Sequence, residues 1–252
     1  MQINAPCLES GPQLGLAEYA VEIDNVSMKF GATTALDGVT FNLARGKIHS
    51  LMGRNGAGKS TTLKAIMGLV PPSGGAVRLA GEALAGLGPH EIARRGLGYV
   101  PEDRRIFTEL TVMENLEVGR RAARPGIPAW TPERLFELFP NLAAMRDRPG
   151  GRMSGGEQQM LTIARTLMGN PSLVLLDEPS EGLAPVIVEQ MARAILSLKR
   201  EGLTVLLCEQ NLHFATLVSD RAAIIEKGAV RYEGTMAALQ ADEAVRAQYL
   251  SV

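Results

Sequence analysis

A glycine-rich stretch between a strand pattern and a helix pattern constrains this chain most. "GRNGAGKST", residues 53–61, follows the apolar run "KIHSLMG" and opens the helical pattern Lys59–Leu69. A glycine is followed, after four residues, by Gly-Lys-Ser. This spacing is typical of a loop whose backbone N–H groups surround phosphates, together with the N-terminus of the following helix. Lys59 is expected to reach the β- and γ-phosphates, and the Ser60 hydroxyl to bind Mg²⁺. A glycine-rich turn with a surface lysine is the alternative, whereas a Rossmann loop is excluded by the G-x-x-G-x-G spacing.

An acidic pair ends a second buried-strand pattern. In "SLVLLDEPS", residues 172–180, an apolar run delivers Asp177 and Glu178 at its carboxyl end, where ligands bind in open parallel sheets. Asp177 is expected to hold Mg²⁺, directly or through water, and Glu178 to polarise the attacking water as general base. A strand that ends in an acidic turn is the alternative for this pair alone, but the phosphate loop upstream favours the catalytic interpretation.

A second anion-binding pattern begins the amphipathic helix of "MSGGEQQMLTIARTLMGNP", residues 153–171. Ser154, Gly155 and Gly156 combine a hydroxyl, flexible backbone N–H groups and a helix N-terminus, which suit a γ-phosphate. The phosphate loop already surrounds its own nucleotide, and about a hundred residues separate the two elements. We therefore expect this end to close over the nucleotide of a partner subunit, so that ATP joins the two chains of a dimer.

The order of the elements predicts an α/β fold with a mostly parallel core sheet. "YAVEIDNVSMKF" and "GVTFNLARG" alternate apolar and polar residues like half-buried antiparallel strands, whereas "KIHSLMG", "LVLLD" and "LTVLLCEQ" are continuous apolar runs typical of central strands. Helical patterns follow these three runs, at Lys59–Leu69, Pro185–Lys199 and Leu212–Val218. The segment from about 89 to 156 is interpreted as a mostly helical insertion in this core.

Composition restricts the classes of function that this chain can have. The 252 residues are 46% hydrophobic and 21% charged with a net charge of −1, which argues against nucleic acid as the main partner. Two cysteines, Cys7 and Cys208, indicate a reducing compartment rather than a disulfide framework. The sequence shows no signal-peptide pattern and no apolar run of membrane-spanning length, so any membrane role is expected to be peripheral. Residues 1–18 are predicted to form a flexible extension, with one domain at 19–252.

From about Tyr19 onward, the chain resembles the ATP-binding subunit of an ABC transporter. "GRNGAGKST" looks like the Walker A motif, "LVLLDE" like Walker B, and "MSGGE" like the signature motif, with Met153 and Glu157 where leucine and glutamine are usual. The resemblance implies the ABC ATPase fold: a P-loop NTPase core with a mostly parallel sheet, an antiparallel β subdomain and a helical insertion.

The resemblance also implies roles for individual residues. Phe30 stands where the family has the aromatic that stacks on adenine, and "SEGLAP", residues 180–185, looks like the loop that meets the opposite subunit. The residues implied to bind ATP from the phosphate loop are Gly53, Asn55, Gly56, Ala57, Gly58, Lys59, Ser60 and Thr61. The residues implied to bind the partner's ATP are Ser154, Gly155, Gly156 and Glu157.

Two positions depart from the usual family pattern. Glu102 replaces the glutamine that senses Mg²⁺ and links to the membrane subunit, and Gln210 replaces a histidine. Gln210 is predicted to position the γ-phosphate without acid–base work, because its amide does not titrate near neutral pH. The alternative is that Gln210 only caps the following helix while His213 or a different partner subunit supplies the sensor.

Three local motifs, "VPEDRRIFTELTVMENL", "EGLAP" and "EQN", are similar to the second ATPase subunit of branched-chain amino acid importers. That branch implies transmembrane permease subunits, an indirectly coupled periplasmic substrate-binding protein and a peripheral position at the cytoplasmic face of the inner membrane. Arg104, Arg105 and Phe107 are expected to contact a permease loop; a solvated basic turn is the alternative. Other cargoes (urea, amides or an exported lipid) and a non-transport ATP switch of the same superfamily remain alternatives for the function.

Overall fold

The computed structural model describes residues 19–124 and 129–250. The predicted extension, residues 1–18, lies outside the described residues, and so does Cys7. The described strands are β1 (Tyr19–Phe30), β2 (Thr33–Ala44), β3 (Ile48–Met52), β4 (Gly74–Leu79), β5 (Glu82–Ala83), β6 (Leu97–Val100), β7 (Leu173–Asp177), β8 (Thr204–Glu209), β9 (Arg221–Glu226) and β10 (Ala229–Thr235).

The described helices lie between these strands in the chain or follow the last of them. They are α1 (Lys59–Ile66), α2 (Pro89–Arg94), α3 (Val112–Gly119), α4 (Pro132–Leu138), α5 (Pro140–Ala143), α6 (Gly155–Leu167), α7 (Pro185–Arg200), α8 (Leu212–Val218), α9 (Met236–Ala241) and α10 (Glu243–Tyr249). In the described part of the chain, no helix combines the length and apolarity that crossing a bilayer requires.

The first strands form an antiparallel sheet of order β2-β1-β4-β5. β1 pairs with β2 from Tyr19 opposite Ala44 to Phe30 opposite Thr33, and both strands alternate buried and exposed residues over much of their length. The prediction of two half-buried antiparallel strands is confirmed. The hairpin brings the beginning of β2 against the phosphate loop.

The remaining strands form a six-stranded sheet of order β10-β9-β3-β8-β7-β6. Neighbouring strands from β9 to β6 are parallel, and β10 is antiparallel to β9. Successive residues of β7 enter different apolar clusters: Leu173 and Leu175 join one, Val174 and Leu176 the other. A strand covered on both faces needs apolar residues at every position, so the prediction from the continuous runs is confirmed.

The structure differs from the predicted helical segment 89–156 at its beginning. β6 lies inside that segment and pairs in parallel with β7, Leu97 opposite Leu173, so the core sheet continues to Val100 before the helices α3 to α6 begin. A four-residue strand is too short to show a periodicity of its own. Helix α1 also ends at Ile66 rather than Leu69, because Gly68 adopts a positive φ of 69° that terminates the helix.

Candidate active site

The phosphate loop connects β3 to α1 beneath the β1–β2 hairpin. Gly58 adopts a φ of +115°, and a Cβ atom there would lie 2.9 Å from Leu36 Cδ2 and 3.0 Å from the Ala35 carbonyl oxygen. Only glycine fits this conformation and this approach. Residues 54–56 are exposed at the loop's crest, while Ala57, Gly58 and Lys59 are buried beneath it.

Lys59 reaches back under the loop from the beginning of α1. Its Nζ donates hydrogen bonds to the carbonyl oxygens of Gly53 at 2.9 Å and Arg54 at 3.3 Å. The same Nζ lies 3.0 Å from Glu178 Oε1. With Lys59 only 4% exposed, this is a buried ion pair that joins the two motifs predicted to hold and hydrolyse the nucleotide.

Asp177 and Ser60 meet at the carboxyl edge of the parallel sheet. Ser60 Oγ donates a hydrogen bond to Asp177 Oδ1 at 2.9 Å, and the Tyr99 hydroxyl donates to Asp177 Oδ2 at 3.2 Å. Burial raises the pKa of Asp177, with the charges of Glu178 and Glu102 contributing in the same direction. A hydroxyl and a carboxylate oxygen side by side fit the oxygen ligands that Mg²⁺ prefers.

Glu102 approaches the same edge from the segment after β6. Its side chain is exposed, and its charge raises the pKa of Asp177 without a hydrogen bond to Asp177 among the described residues.

Tyr99, which holds the second oxygen of Asp177, was not identified from the sequence, because no spacing relates it to Asp177. The half-buried Tyr99 at the end of β6 faces the β7 carboxylate because the two strands pair in parallel.

Glu178 is held on both carboxylate oxygens. Oε1 pairs with Lys59, and Oε2 accepts a hydrogen bond from Gln210 Nε2 at 2.8 Å. Burial opposes ionisation, but hydrogen bonds to Glu181, Lys59 and Gln210 lower the pKa of Glu178 below its usual value. Its backbone has a φ of +48°, a strained conformation that occurs preferentially at functional sites. The geometry is that of a fixed, ionised carboxylate.

The helix after Gln210 is capped by another residue. Asn211 Oδ1 accepts a hydrogen bond from the backbone N–H of Phe214 at 3.1 Å and caps α8. The alternative that Gln210 caps this helix is therefore wrong. His213 is exposed on the first turn of α8, and the structure shows no hydrogen bond or ion pair between His213 and Glu178, whereas Gln210 contacts Glu178 directly.

Glu181 is a further acidic residue of the site that sequence reasoning did not single out. It lies one turn after Glu178, and its backbone N–H donates to the Glu178 carbonyl at 3.2 Å. A side-chain hydrogen bond with Glu178 and partial burial raise the pKa of Glu181 to about 7. Glu181 therefore carries the proton of this pair up to about neutral pH, while Glu178 stays ionised.

The signature-like stretch forms the N-terminus of α6. Ser154 Oγ accepts a hydrogen bond from the Glu157 N–H at 3.4 Å, and Glu157 Oε2 accepts from the Ser154 N–H at 2.7 Å, forming a capping box. A Cβ atom at Gly156 would lie 2.7 Å from Ile187 Cγ2, so this glycine allows α6 to pack against α7. Within the described ranges, no hydrogen bond or ion pair links residues 154–157 to the phosphate loop of the same chain.

The loop between β6 and α3 is held from within by Asn115. This fully buried side chain donates from Nδ2 to the carbonyl oxygens of Phe107, Leu110 and Thr111, and accepts at Oδ1 from the Phe107 N–H. Of the residues predicted to meet a permease, Arg105 and Phe107 are exposed, while Arg104 is half-buried. Asn115 was not singled out from the sequence, because its partners are fixed by loop geometry.

Phe30 lies at the end of β1, where the hairpin turns toward the phosphate loop. Its side chain is 52% exposed. The next strand passes Ala35 and Leu36 directly over Gly58. An exposed aromatic ring therefore stands at the edge of the hairpin that covers the phosphate loop.

Comparison with known proteins agrees with this architecture. The family model described as ABC transporter matches residues 36–181. A branched-chain amino acid transport ATP-binding protein, BraG of Pseudomonas aeruginosa, is 44% identical over 230 residues, covering 91% of this chain and 99% of the relative. A lipopolysaccharide export ATP-binding protein, LptB of Haemophilus influenzae, is 34% identical, covering 90% and 95%.

Among solved structures, a dimeric ATP-binding cassette in a post-hydrolysis state, bound to ADP and Pi, superposes with a TM-score of 0.74. It is 27% identical, and the match covers 86% of this chain and 98% of that one. Since the family model matches more than half of the sequence and BraG aligns along nearly its whole length, the chain belongs to the ABC transporter family and has the fold of its ATPase cassettes.

Proposed function

We propose that this chain is the ATP-hydrolysing motor subunit of an ABC importer for branched-chain amino acids. Two ATP-binding subunits close over two ATP molecules, and hydrolysis reopens the dimer. The site around Glu178 carries this proposal, because both of its carboxylate oxygens are held beside the phosphate loop by Lys59 and Gln210. The dimeric relative bound to ADP and Pi supports the sandwich.

The residues of the site divide the work of hydrolysis. Lys59 leaves its carbonyl and carboxylate partners for the β- and γ-phosphates, as the phosphate-loop pattern implies. Glu178, ionised because its pKa is lowered, accepts the proton of the attacking water. Gln210 holds the carboxylate in that orientation and donates to the γ-phosphate region without changing its own protonation.

Ser60 and Asp177 are the residues that would hold Mg²⁺, and Glu102 lies close enough to act on Asp177 electrostatically. The ion, when bound, neutralises charge on the β- and γ-phosphate oxygens. Tyr99 keeps the Asp177 carboxylate in place from the other side. Phe30 stacks on the adenine, and Ser154 to Glu157 face the nucleotide of the partner.

The complex is proposed to sit at the cytoplasmic face of the plasma membrane. This chain binds there peripherally to transmembrane permease subunits through Arg105 and Phe107, which are exposed. A periplasmic substrate-binding protein delivers the cargo and acts on this chain only indirectly. The similarity to BraG supports branched-chain amino acids as the cargo, while the weaker similarity to LptB favours lipid export as the second candidate.

The ATPase is tested by the chain carrying Glu178→Gln. It should bind ATP like the parent, stop hydrolysing it, and form a dimer with ATP and Mg²⁺ that sedimentation detects. The cargo is tested by reconstitution with the permease: stimulation of hydrolysis by a leucine-loaded binding protein supports the importer. Stimulation by lipopolysaccharide instead would support the second candidate.

A further inference from the structure

A cleft of about 190 Å³ opens beside the N-terminal half of α6. The residues that line it are Glu102, Arg104, Gln159, Glu178, Glu181 and Gly182. Three of them are acids, and Arg104 is the single cation among the described lining residues. Arg104, Gln159 and Gly182 have no part in the hydrolysis described above, and of these only Arg104 and Gln159 have polar side chains.

Gln159 is buried with its polar atoms unpaired. The residue is 3% exposed, and neither Oε1 nor Nε2 has a hydrogen-bond partner among the described residues. A buried amide without partners costs the free energy of its desolvation. Its position on the wall of the cleft therefore indicates a ligand that completes its hydrogen bonding.

Arg104 is fixed against the signature end by a strained turn. Arg104 and Arg105 have φ values of 62° and 49°, a left-handed conformation that non-glycine residues rarely adopt. Thr162 Oγ1 donates to the Arg104 carbonyl at 2.8 Å and holds this turn on α6. A Cβ atom at Gly155 would lie 2.7 Å from Arg104 Nη1, so the guanidinium lies directly on that glycine.

The positive charge of Arg104 lacks an anionic partner at this position among the described residues. A cation beside a helix N-terminus opposes the helix dipole, and the guanidinium of Arg104 makes no ion pair or side-chain hydrogen bond with any described residue. An anion that contacts both the guanidinium and the N–H groups at the N-terminus of α6 would satisfy both positive groups. The acids of the cleft repel a phosphate, and Arg104, the single cation among the described lining residues, reduces that repulsion.

We propose that Arg104, with Gln159 behind it, binds the γ-phosphate that the signature end of one copy receives from the nucleotide of a second copy. The inference rests on the proposed sandwich and adds a cationic ligand to it. The guanidinium N–H groups donate to phosphate oxygens. The Gln159 amide then gains a guanidinium or phosphate partner for each of its two unpaired atoms.

The test measures the dimer constant by sedimentation in the Glu178→Gln background with ATP and Mg²⁺. Arg104→Gly relieves the backbone strain, so a loss of dimer is not a loss of folding. It should weaken the dimer about tenfold or more, as expected for a charged hydrogen bond, and Arg104→Lys should recover part of the loss. ATP binding to the monomer should stay unchanged in both variants.

The matched control is Arg105→Gly, which relieves the same strain at an exposed arginine that pairs with Asp103. Its dimer constant should equal that of the background chain. Equal effects of the two glycine variants, or a tighter dimer for Arg104→Gly, would overturn the proposal. Arg104 would then only shield the N-terminus of α6 and would not bind the phosphate. A background chain that stays monomeric with ATP would overturn the sandwich itself, and with it the role of Arg104.

Discussion

Lys59 Nζ lies 3.0 Å from Glu178 Oε1, so the cation of the phosphate loop and the proposed base are direct partners. Both side chains are buried. In the proposed mechanism, a γ-phosphate at the loop would compete with Glu178 for Lys59 and release one carboxylate oxygen for water. Gln210 is bound to the other oxygen and would keep the carboxylate in place during this exchange.

Glu178→Gln should lower hydrolysis about 10²- to 10⁴-fold, because the amide cannot accept the proton of the attacking water. ATP binding should persist, since the amide leaves the phosphate loop intact. Turnover and nucleotide affinity are measured on the same preparation, with the exposed Glu109→Gln as control. Near-parental turnover would remove Glu178 from the mechanism.

Gln210→Ala should slow turnover about ten- to a hundredfold while ATP still binds, because one hydrogen bond to a charged group is lost. Gln210→His should retain substantial activity and add a pH dependence between about 6 and 8, where imidazole titrates. The control is His213→Ala, which should turn over normally because His213 is exposed. A fast Gln210→Ala together with an inactive His213→Ala would reverse the assignment.

Glu181 should make stability depend on pH. Its pKa is raised in the fold from 4.5 to about 7, so its contribution is present below pH 4.5 and is lost as the pH rises through 7. The Tm of the parent should therefore fall more steeply between pH 5 and 8 than the Tm of Glu181→Gln. Parallel Tm curves for the two chains would show that the pKa of Glu181 is not raised beside Glu178.

Asn115→Ala should destabilise the chain by about 2–4 kcal/mol, because carbonyl groups of the loop lose their buried donor. Denaturant unfolding measures this loss. Basal hydrolysis of the isolated chain should change far less than its stimulation by the permease, since the loop carries Phe107 and not the phosphate loop. The exposed Glu109→Ala in the same loop is the control, and equal losses of basal and stimulated turnover would contradict this role.

The central strands, the acidic pair at residues 177–178 and the phosphate loop were predictable from the sequence for a physical reason. Leu173 to Leu176 of β7 are each buried in one of two apolar clusters, so the run "LVLLD" has no polar position until Asp177. Parallel pairing then fixes where Asp177 emerges. The phosphate loop was equally readable, because Gly58 has a conformation and a neighbour that tolerate only glycine.

The remaining features depend on contacts that no spacing encodes. β6 has four residues, and it is recognised as a strand only by its pairing with β7. Tyr99 meets Asp177 across that pairing, and Glu181 acquires its raised pKa from Glu178 in the folded turn. Arg104 was expected at a permease surface, but the turn places its guanidinium on Gly155.

Whether the signature end acts on a partner's nucleotide is tested most directly by mixing two inactive chains, Lys59→Met and Gly155→Asp. The first chain lacks the cation for the phosphates, and the second adds a carboxylate at the signature end, where it pairs with Arg104 and repels the γ-phosphate. Gly155→Asp alone should bind ATP like the parent.

In a mixed dimer, one site combines the intact loop of one chain with the intact signature end of the other. An equal mixture should therefore recover roughly a quarter of parental turnover, since about half of the dimers are mixed and each has one intact site of two. A mixture that forms mixed dimers but stays as inactive as its components, or a Gly155→Asp chain that cannot bind ATP, would contradict the sandwich.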